Sequence, residues 1–264
     1  MTTNQQKVLV VGATGSIGKL VVEEALRQGH SVRALVRNPT KARRLPVETE
    51  IVAGDLTRPE TLTSAVDGID CIVFTHGSDG GGKVGSQTVD YGGVRNILVA
   101  LGGKKVRIAL MTSIGVTNRN SSYNRTTESH DWKRRAERLV RMSGLPYTIV
   151  RPGWFDYNAG NEHQLVFLQG DTRQAGNSSD GAVARSQLAE VLVHSLTSEQ
   201  ALRKTFELVS VKGSAQKDLN PLFATLDADP EGGLDGVRDM LNQPLDKEPQ
   251  FVLDDLRNLT AGRS

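Results

Sequence analysis

Residues 7–20 read KVLVVGATGSIGKL, an apolar run followed by three spaced glycines and the start of an amphipathic segment. The run predicts a buried strand, and the glycine spacing predicts a tight turn into a helix. Gly12 lets the chain leave the strand, Gly15 lets a pyrophosphate approach the backbone, and Gly18 lets the helix pack against the strand. Because a helix N-terminus also offers free N–H groups and a partial positive charge, this context favours a dinucleotide site over an ordinary glycine-rich loop.

The second predicted strand indicates which dinucleotide binds. It spans residues 31–36 and is followed by Arg37, at a place where NAD-binding units of this type carry an Asp or Glu for the ribose hydroxyls. An Arg instead accommodates a 2′-phosphate, and it can stack on the adenine and form two hydrogen bonds to the phosphate. The sequence therefore predicts NADP(H) rather than NAD(H). Lys41 could add positive potential, whereas Arg43 and Arg44 are expected on a solvated helix face.

Other strand ends are expected to line the same site, because ligands bind outside the carboxyl ends of parallel strands. Asp55 follows a strand at 50–53, and its carboxylate either accepts a hydrogen bond from the adenine amino group, with Leu56 beside the ring, or caps a turn. The glycine-rich loop at 77–85 either moves over the site or is a simple connector. The remaining predicted cofactor contacts are Thr14, Ser16 and Ile17 in the glycine turn, and Thr75, His76, Gly77, Thr112, Pro152 and Gly153 at later strand ends.

Composition excludes several classes of partner. The 264 residues carry a formal net charge of only +2, so no polyanion partner is implied, and the basic clusters at 104–105 and 133–135 are expected in solvent. Those clusters have no interleaved aromatic residues, which disfavours nucleic-acid binding. Cys71 is the only cysteine, which fits a reducing compartment, and no Cys/His group has the spacing of metal ligands. Without an apolar leader or an apolar run of about 18 residues, the chain is predicted to be cytoplasmic and not to bind membranes.

Predicted strands near 7–11, 31–36, 50–53, 70–74, 106–111 and 147–151 alternate with predicted helices near 17–28, 59–66, 86–101 and 128–142. This alternation predicts an α/β protein with a Rossmann-type, doubly wound parallel sheet and a small C-terminal lobe. We assign residues 1–151 to an NADP-binding core and residues 152–264 to a substrate lobe and C-terminal extension packed on the same domain. The second part contains a predicted helix near 186–196 and a strand near 205–210. The segment from 212 onward either caps the substrate pocket or covers the sheet edge.

The chain resembles the atypical short-chain dehydrogenase/reductase family, whose members include NmrA-like and biliverdin/flavin-reductase-like NAD(P)-binding proteins. The matching segments are the glycine turn at 12–18, LVRN at 35–38, GDL at 54–56, TSIG at 112–115, WK at 132–133 and YTIVRPG at 147–153. Typical members of the family use a serine, a tyrosine and a lysine, with the tyrosine four residues before the lysine on one helix face. By this resemblance Ser113 matches the serine and Lys133 the lysine, whereas Ser129 stands in place of the tyrosine.

Ser129 changes the chemistry that the site can perform. In the family the lysine lowers the pKa of the tyrosine, which then protonates the carbonyl oxygen of the substrate. A serine hydroxyl is a far poorer proton donor, so ordinary alcohol and ketone chemistry is disfavoured. Other potential donors are Tyr123, His130, His76 and Tyr157, although each is more readily explained as a structural or surface residue. Hydride transfer to a flavin or another conjugated acceptor needs no acid from the protein.

The first functional hypothesis is therefore an NADPH-dependent oxidoreductase that acts on a small conjugated acceptor of the flavin, quinone or enone type. Ser113 would orient the nicotinamide ring or an acceptor oxygen, and Lys133 would bind the nicotinamide ribose. Trp154, Phe155 and Tyr157 either wall an aromatic substrate pocket or pack the C-terminal lobe. The alternative is a non-catalytic NADP(H)-binding redox sensor or regulator, which would have a protein partner. Sugar-nucleotide epimerase or dehydratase chemistry uses the same tyrosine and lysine, so the missing tyrosine disfavours it.

Overall fold

Strands and helices alternate along the part of the chain that the structure, a computed structural model, describes: residues 5–78 and 80–261. The strands are β1 (Lys7–Val11), β2 (Ser31–Val36), β3 (Glu50–Ala53), β4 (Cys71–Phe74), β5 (Arg107–Met111), β6 (Tyr147–Pro152), β7 (Trp154–Phe155), β8 (Gln164–Leu168), β9 (Ala182–Val183) and β10 (Lys204–Val211). The helices are α1 (Ser16–Arg27), α2 (Gly82–Gly85), α3 (Gly92–Leu101), α4 (Ser122–Thr127), α5 (Ser129–Met142), α6 (Arg185–Ser195), α7 (Asn220–Ala224) and α8 (Gln250–Ala261).

The strands form one sheet, in which the order β3-β2-β1-β4-β5-β6-β10 is parallel throughout. The prediction of a Rossmann-type, doubly wound parallel sheet is confirmed. Strand β10, from the second part of the chain, extends the sheet, and β8 and β9 pair with it in antiparallel fashion. The order reverses where β1 lies between β2 and β4, and ligand crevices form at such reversals in α/β sheets.

Each face of the sheet has its own apolar core, because successive side chains of a strand point to opposite faces. Val8 and Val10 pack on the side of α1 and α6. Leu9 and Val11 pack on the other side, with α3, α5 and α8. Strand β1 is thus buried on both faces, as expected for a central parallel strand. Within the described residues, no helix is both long enough and apolar enough to cross a membrane.

The predicted helix at 59–66 is wrong. The structure has a short 3₁₀ turn at Pro59–Thr61, followed by irregular turns. The Thr61 hydroxyl donates to the Arg58 carbonyl at 2.7 Å, and the same oxygen accepts from the Asp55 N–H at 2.9 Å. The Thr61 side chain thus ties the end of β3 to this turn. The apolar residues of this segment are nevertheless buried, since Leu62 lies in the core.

The predicted helix at 86–101 is present but begins with a wider turn. Residues Ser86–Tyr91 are π-helical, and α3 follows directly. A π-helical turn accommodates an additional residue, and such turns are frequent near functional sites. Here Asp90 and Tyr91 are both buried. The preceding glycine-rich loop contains the short helix α2, while Asp79 in that loop lies outside the described residues.

The basic residues of α5 are not in solvent, contrary to the prediction for 133–135. Arg134 and Arg135 are 0% and 6% exposed, and the extension after residue 212 supplies their counter-charges. The ion pairs, each between 2.5 and 3.1 Å, are Arg134–Asp235, Arg138–Asp235, Arg135–Glu248, Arg138–Glu248 and Arg141–Asp229. The extension after residue 212 therefore covers α5. This differs from both arrangements considered above, in which it would cap the substrate pocket or cover the sheet edge.

Candidate functional site

A cleft of about 950 Å³ lies at the carboxyl ends of β1 to β6. It collects almost all of the residues that the sequence predicted for the site. From the glycine turn and the adenosine end it is lined by Gly12, Thr14, Gly15, Ser16, Ile17, Arg37, Asp55 and Leu56. From the other strand ends and α5 it is lined by Thr75, His76, Gly77, Thr112, Ser113, Lys133, Pro152, Gly153, Trp154 and Phe155. Gly18 and Tyr157 do not line it.

The glycine turn is built as the sequence predicted. Gly12 has φ +90°, and a Cβ on it would lie 2.7 Å from the His76 backbone nitrogen. A Cβ on Gly18 would lie 2.1 Å from the Gly12 carbonyl oxygen, so Gly18 lies behind the turn and allows it to pack. Helix α1 starts with no acidic residue in its first turn and no side chain capping it. Gly15, Ser16 and Ile17 at this helix start line the cleft, and within the described residues no side chain caps it, as a phosphate site requires.

Arg37 and Asp55 lie together at the adenosine end of the cleft. Arg37 is exposed at the end of β2, as predicted for a group that binds a 2′-phosphate. The Asp55 carboxylate accepts from the Thr57 N–H at 2.9 Å and from the Thr57 hydroxyl at 2.8 Å, so it caps a turn. The Thr57 N–H, with smaller contributions from Arg37 and Arg58, lowers the pKa of Asp55. The turn-capping role is therefore confirmed, and because Asp55 also lines the cleft, the contact with the adenine amino group stays a prediction.

At the nicotinamide end the retained serine and lysine have different surroundings. The Ser113 hydroxyl oxygen is buried and has no hydrogen-bond partner within the described residues. The Lys133 ammonium lies 3.4 Å from the Asp90 carboxylate, which also accepts from the Ser78 hydroxyl at 2.7 Å. Sequence reasoning missed Asp90, because only the π-helical turn directs this residue inward. Ser129 is buried and lines the cleft.

His76 is a half-buried histidine that lines the cleft. Its Nε2 lies 3.1 Å from the Val89 carbonyl oxygen, which can only accept, so this nitrogen carries the hydrogen. Burial lowers the pKa of His76 to about 4, which keeps the ring uncharged near neutral pH. Nδ1 is buried without a partner in the described part of the chain. His76 therefore offers a hydrogen-bond acceptor, not an acid, to a bound ligand.

Aromatic residues wall one side of the cleft, with one exception to the prediction. Trp154 and Phe155 line it. Tyr157 is 68% exposed and packs edge-on against Trp154, with ring centroids 6.2 Å apart. The chain turns away after Phe155, because Asp156 adopts φ +60° and is paired with Arg185. Tyr157 is therefore a surface residue outside the wall.

Several further cleft residues had no signal in the sequence. They lie in loops without periodic patterns, and the loop before β9 reaches the cleft only through the fold of the second part. These residues include Asn118, Ser121, Gln174, Gly176 and Asp180. Of the alternative proton donors named above, Tyr123 and His130 line the cleft together with His76.

Asp171 holds the loop that follows β5. Its side chain is 0% exposed, and its carboxylate accepts from the Gly115 N–H at 2.6 Å and from the Thr117 N–H and hydroxyl at 2.7 Å. Its own N–H donates to Glu207 at 3.1 Å, and burial raises the pKa of Glu207 to about 8. Asp171 thereby fixes the backbone immediately after Ser113 from a distant part of the chain.

We expect Asp171→Asn to lower the free energy of unfolding by about 2–3 kcal/mol, because the amide group faces N–H donors and the charge-assisted hydrogen bonds are lost. Urea unfolding monitored by circular dichroism measures the change. Asp218→Asn is the matched control, since Asp218 also accepts from a backbone N–H, that of Asn220 at 2.9 Å, but lies on the surface. Equal small effects of both substitutions would contradict the role given to Asp171.

A buried ionic cluster joins the elements that carry the nicotinamide-end residues. Glu137 on α5 accepts from the Thr112 hydroxyl at 2.7 Å and from Nη2 and Nε, on one edge of the Arg151 guanidinium, at 2.7 and 3.0 Å. Arg151 also binds both carboxylate oxygens of Asp239 at 2.6 and 2.7 Å. Burial by itself raises the pKa of Glu137, but Arg151 and Arg141 outweigh it and leave that pKa below its usual value. The cluster links Thr112 and Arg151, the immediate neighbours of Ser113 and Pro152, to the helix that carries Lys133.

Comparison with known proteins agrees with this geometry. The family model described as NAD(P)H-binding matches residues 12–199. Sanguinarine reductase of Eschscholzia californica is 28% identical over 260 residues, which cover 82% of this chain and 94% of that protein. Photosystem II assembly factor Ycf39 of Synechocystis is 28% identical over 206 residues, covering 77% of this chain and 62% of that protein.

A solved structure also matches. It is that of a provisionally named NAD-dependent epimerase/dehydratase from Bacillus halodurans, which superposes with a TM-score of 0.67 at 25% identity. The match covers 80% of this chain and 95% of the other. Proteins named for reduction, for assembly and for epimerisation thus resemble this chain, so the choice among these activities depends on the side chains in the cleft.

Proposed function

Because the chain belongs to the NAD(P)H-binding family, we propose that it is an NADPH-dependent oxidoreductase that transfers a hydride to a small conjugated acceptor of the flavin, quinone or enone type. The observation that carries the proposal is a single cleft that runs from Arg37 past an uncapped helix N-terminus to Ser113 and Lys133. When bound, the cofactor supplies the hydride. The residues fit it, since the α1 N–H groups are free for phosphate and the buried Ser113 hydroxyl has no partner in the described residues.

Arg37 supports NADPH over NADH. It is the residue at the end of β2, where a carboxylate would be needed for an unphosphorylated ribose. Its exposed guanidinium can give a 2′-phosphate two parallel hydrogen bonds, which a lysine cannot. Lys41, exposed in the following turn, adds positive charge nearby. We therefore propose NADP(H) as the cofactor.

The nicotinamide end supports a conjugated acceptor. Ser113 can donate a hydrogen bond to an acceptor oxygen or to the ring carboxamide, while Lys133 can bind a ribose hydroxyl. Trp154 and Phe155 offer flat apolar surface to an aromatic acceptor. Ser129 cannot replace the tyrosine as an acid, which favours acceptors whose reduced forms are stabilised by conjugation. The name of one relative, sanguinarine reductase, is consistent with reduction of an aromatic compound.

The cleft and the buried charges of α5 also support the partners that we propose. A small acceptor fills the open part of the cleft, and we propose no nucleic-acid or membrane partner, because the basic residues of α5 are buried and neutralised. We propose the cytoplasm as compartment, since Cys71 is a buried free thiol that suits reducing conditions.

The deciding experiment is titration of NADPH fluorescence with the protein, followed by assays of NADPH oxidation with FMN, menadione and 2-cyclohexenone. We expect binding and turnover with at least one acceptor. Ser113→Ala should then lower kcat by about tenfold or more through loss of an orienting hydrogen bond. Ser122→Ala, on the exposed start of α4, is the control and should have no effect. Binding without any turnover would refute the proposal.

That negative outcome would favour a second candidate, a non-catalytic NADP(H)-binding regulator. The observation in its favour is that the acid is replaced by Ser129 while Lys133 is held by Asp90. A relative named as an assembly factor is consistent with such a role. This candidate requires a protein partner whose binding differs between the NADPH-bound and NADP⁺-bound forms.

A further inference from the structure

His130 lines the cleft from the first turn of α5. It lies in the first turn of α5, directly after Ser129 and three residues before Lys133, so it shares a side of the helix with Lys133. Its ring lies over the loop after Ser113, since a Cβ on Gly115 would lie 3.8 Å from the His130 Cε1. The Tyr123 ring packs against it, with the centroids 5.4 Å apart. The imidazole is therefore fixed beside the two residues that the family uses with its tyrosine.

The hydrogen bonds of the ring define its two nitrogens. Nδ1 lies 3.4 Å from the Asn118 carbonyl oxygen. A carbonyl oxygen only accepts, so Nδ1 carries a hydrogen in every protonation state of the ring. Nε2 has no hydrogen-bond partner within residues 5–78 and 80–261, and the side chain lines the cleft. Nε2 is thus the nitrogen that can gain or lose a proton toward a ligand.

We propose that His130 donates the proton that accompanies hydride transfer, from Nε2 to the oxygen of a quinone or enone, in place of the missing tyrosine. The inference rests on the proposed oxidoreductase function. Reduction adds two electrons and one hydrogen to the acceptor as hydride, and its oxygen then takes one proton. The Nε2–H bond breaks, its electron pair stays on the ring, and water entering the open cleft returns the proton to Nε2.

The charged groups around His130 set the pH range of this role. Burial lowers the pKa of His130, and Lys133 on the same helix lowers it further. Asp171 from the facing loop and Asp131 on α5 raise it, as does the Asn118 carbonyl, but burial prevails. The protonated ring is therefore a minor species at pH 7 and becomes more abundant as the pH falls. Proton donation by His130 predicts turnover that rises toward acidic pH.

The test compares His130→Gln with the wild type, using NADPH and menadione. We expect kcat to fall about 100-fold, because general acid catalysis contributes at least that factor, and its dependence on pH below 6.5 to disappear. The Kd for NADPH, measured by fluorescence, should stay unchanged. His163→Gln is the matched control, because it makes the same substitution at an exposed histidine that does not line the cleft.

A readout on the wild-type protein without turnover completes the test. Heteronuclear NMR of the histidine rings should show the Nδ1–H tautomer for His130 and a pKa below the ordinary 6.5. Turnover by His130→Gln within threefold of wild type, with the same pH profile, would overturn the proposal for His130 and leave the oxidoreductase function standing. An absence of turnover in the wild type would instead overturn the function and, with it, this role.

Discussion

An Arg37→Asp variant is expected to bind NADPH about 100-fold more weakly than the wild type while its affinity for NADH changes little. The loss corresponds to about 2.7 kcal/mol, the scale of a charge-assisted, two-point contact with the 2′-phosphate. NADH lacks that phosphate, and the introduced carboxylate can accept from its ribose hydroxyls. Because Arg37 is exposed at the end of β2, the substitution should leave the fold intact.

Fluorescence titration with each nucleotide, at one fixed salt concentration, measures the two Kd values. Arg43→Asp is the matched control: it makes the same change of charge on the neighbouring turn, but Arg43 is exposed and does not line the cleft. We expect this control to weaken NADPH binding less than threefold. Equal losses for NADPH and NADH in Arg37→Asp would show that Arg37 does not read the phosphate.

Arg151→Met is expected to lower the free energy of unfolding by about 3–5 kcal/mol, because removing one partner leaves buried carboxylates without a cation. Arg151 is 0% exposed and lies against Glu137, Glu207 and Asp239. For a chain of this size the loss corresponds to a fall in Tm of roughly 6–20 °C. Arg238→Met, which breaks the surface pair with Asp227 at 2.5 Å, should cost less than about 1 kcal/mol.

The cluster also predicts how stability varies with pH. The pKa values of Glu137 and Asp239 are lowered by Arg151, although burial opposes this. Carboxylates of this kind stabilise the fold above their unfolded pKa, and that stability is lost as the pH falls through their folded values. Thermal unfolding from pH 7 down to pH 3 should therefore show a steeper decline for the wild type than for Arg151→Met. Parallel profiles would contradict this account.

The parts of the fold that the sequence predicted well depend on local patterns. The strand at 7–11 and the glycines that follow it can be predicted from a short stretch of sequence. In the structure Gly12 and Gly18 have the steric roles expected of them. Arg37 and Ser113 both line the cleft for a related reason, because Arg37 directly follows the strand predicted at 31–36 and Ser113 lies two residues after the strand predicted at 106–111. Once the strands form a parallel sheet, their carboxyl ends must meet.

The parts that could not be predicted depend on partners distant in the chain. Arg134 looks like a solvated charge until Asp235, 101 residues later, lies beside it. Asp171 is one acid in a polar stretch, and its role appears only when its loop meets the loop after β5, 54 to 56 residues earlier in the chain. Asp90 is buried within the π-helical turn at Ser86–Tyr91, which no pattern in the sequence predicted. Charge and spacing alone do not encode these contacts.

The packing of the extension after residue 212 on α5 affects folding during synthesis. A nascent chain of about 200 residues already contains every residue that lines the cleft, but the acids that neutralise α5 follow their arginines by 88 to 113 residues. Until they leave the ribosome, α5 carries cations that cannot be buried. We therefore expect α5 to reach its buried state only after residues 229–248 are present, and a product that ends before them would leave these arginines without those partners, however complete its list of site residues.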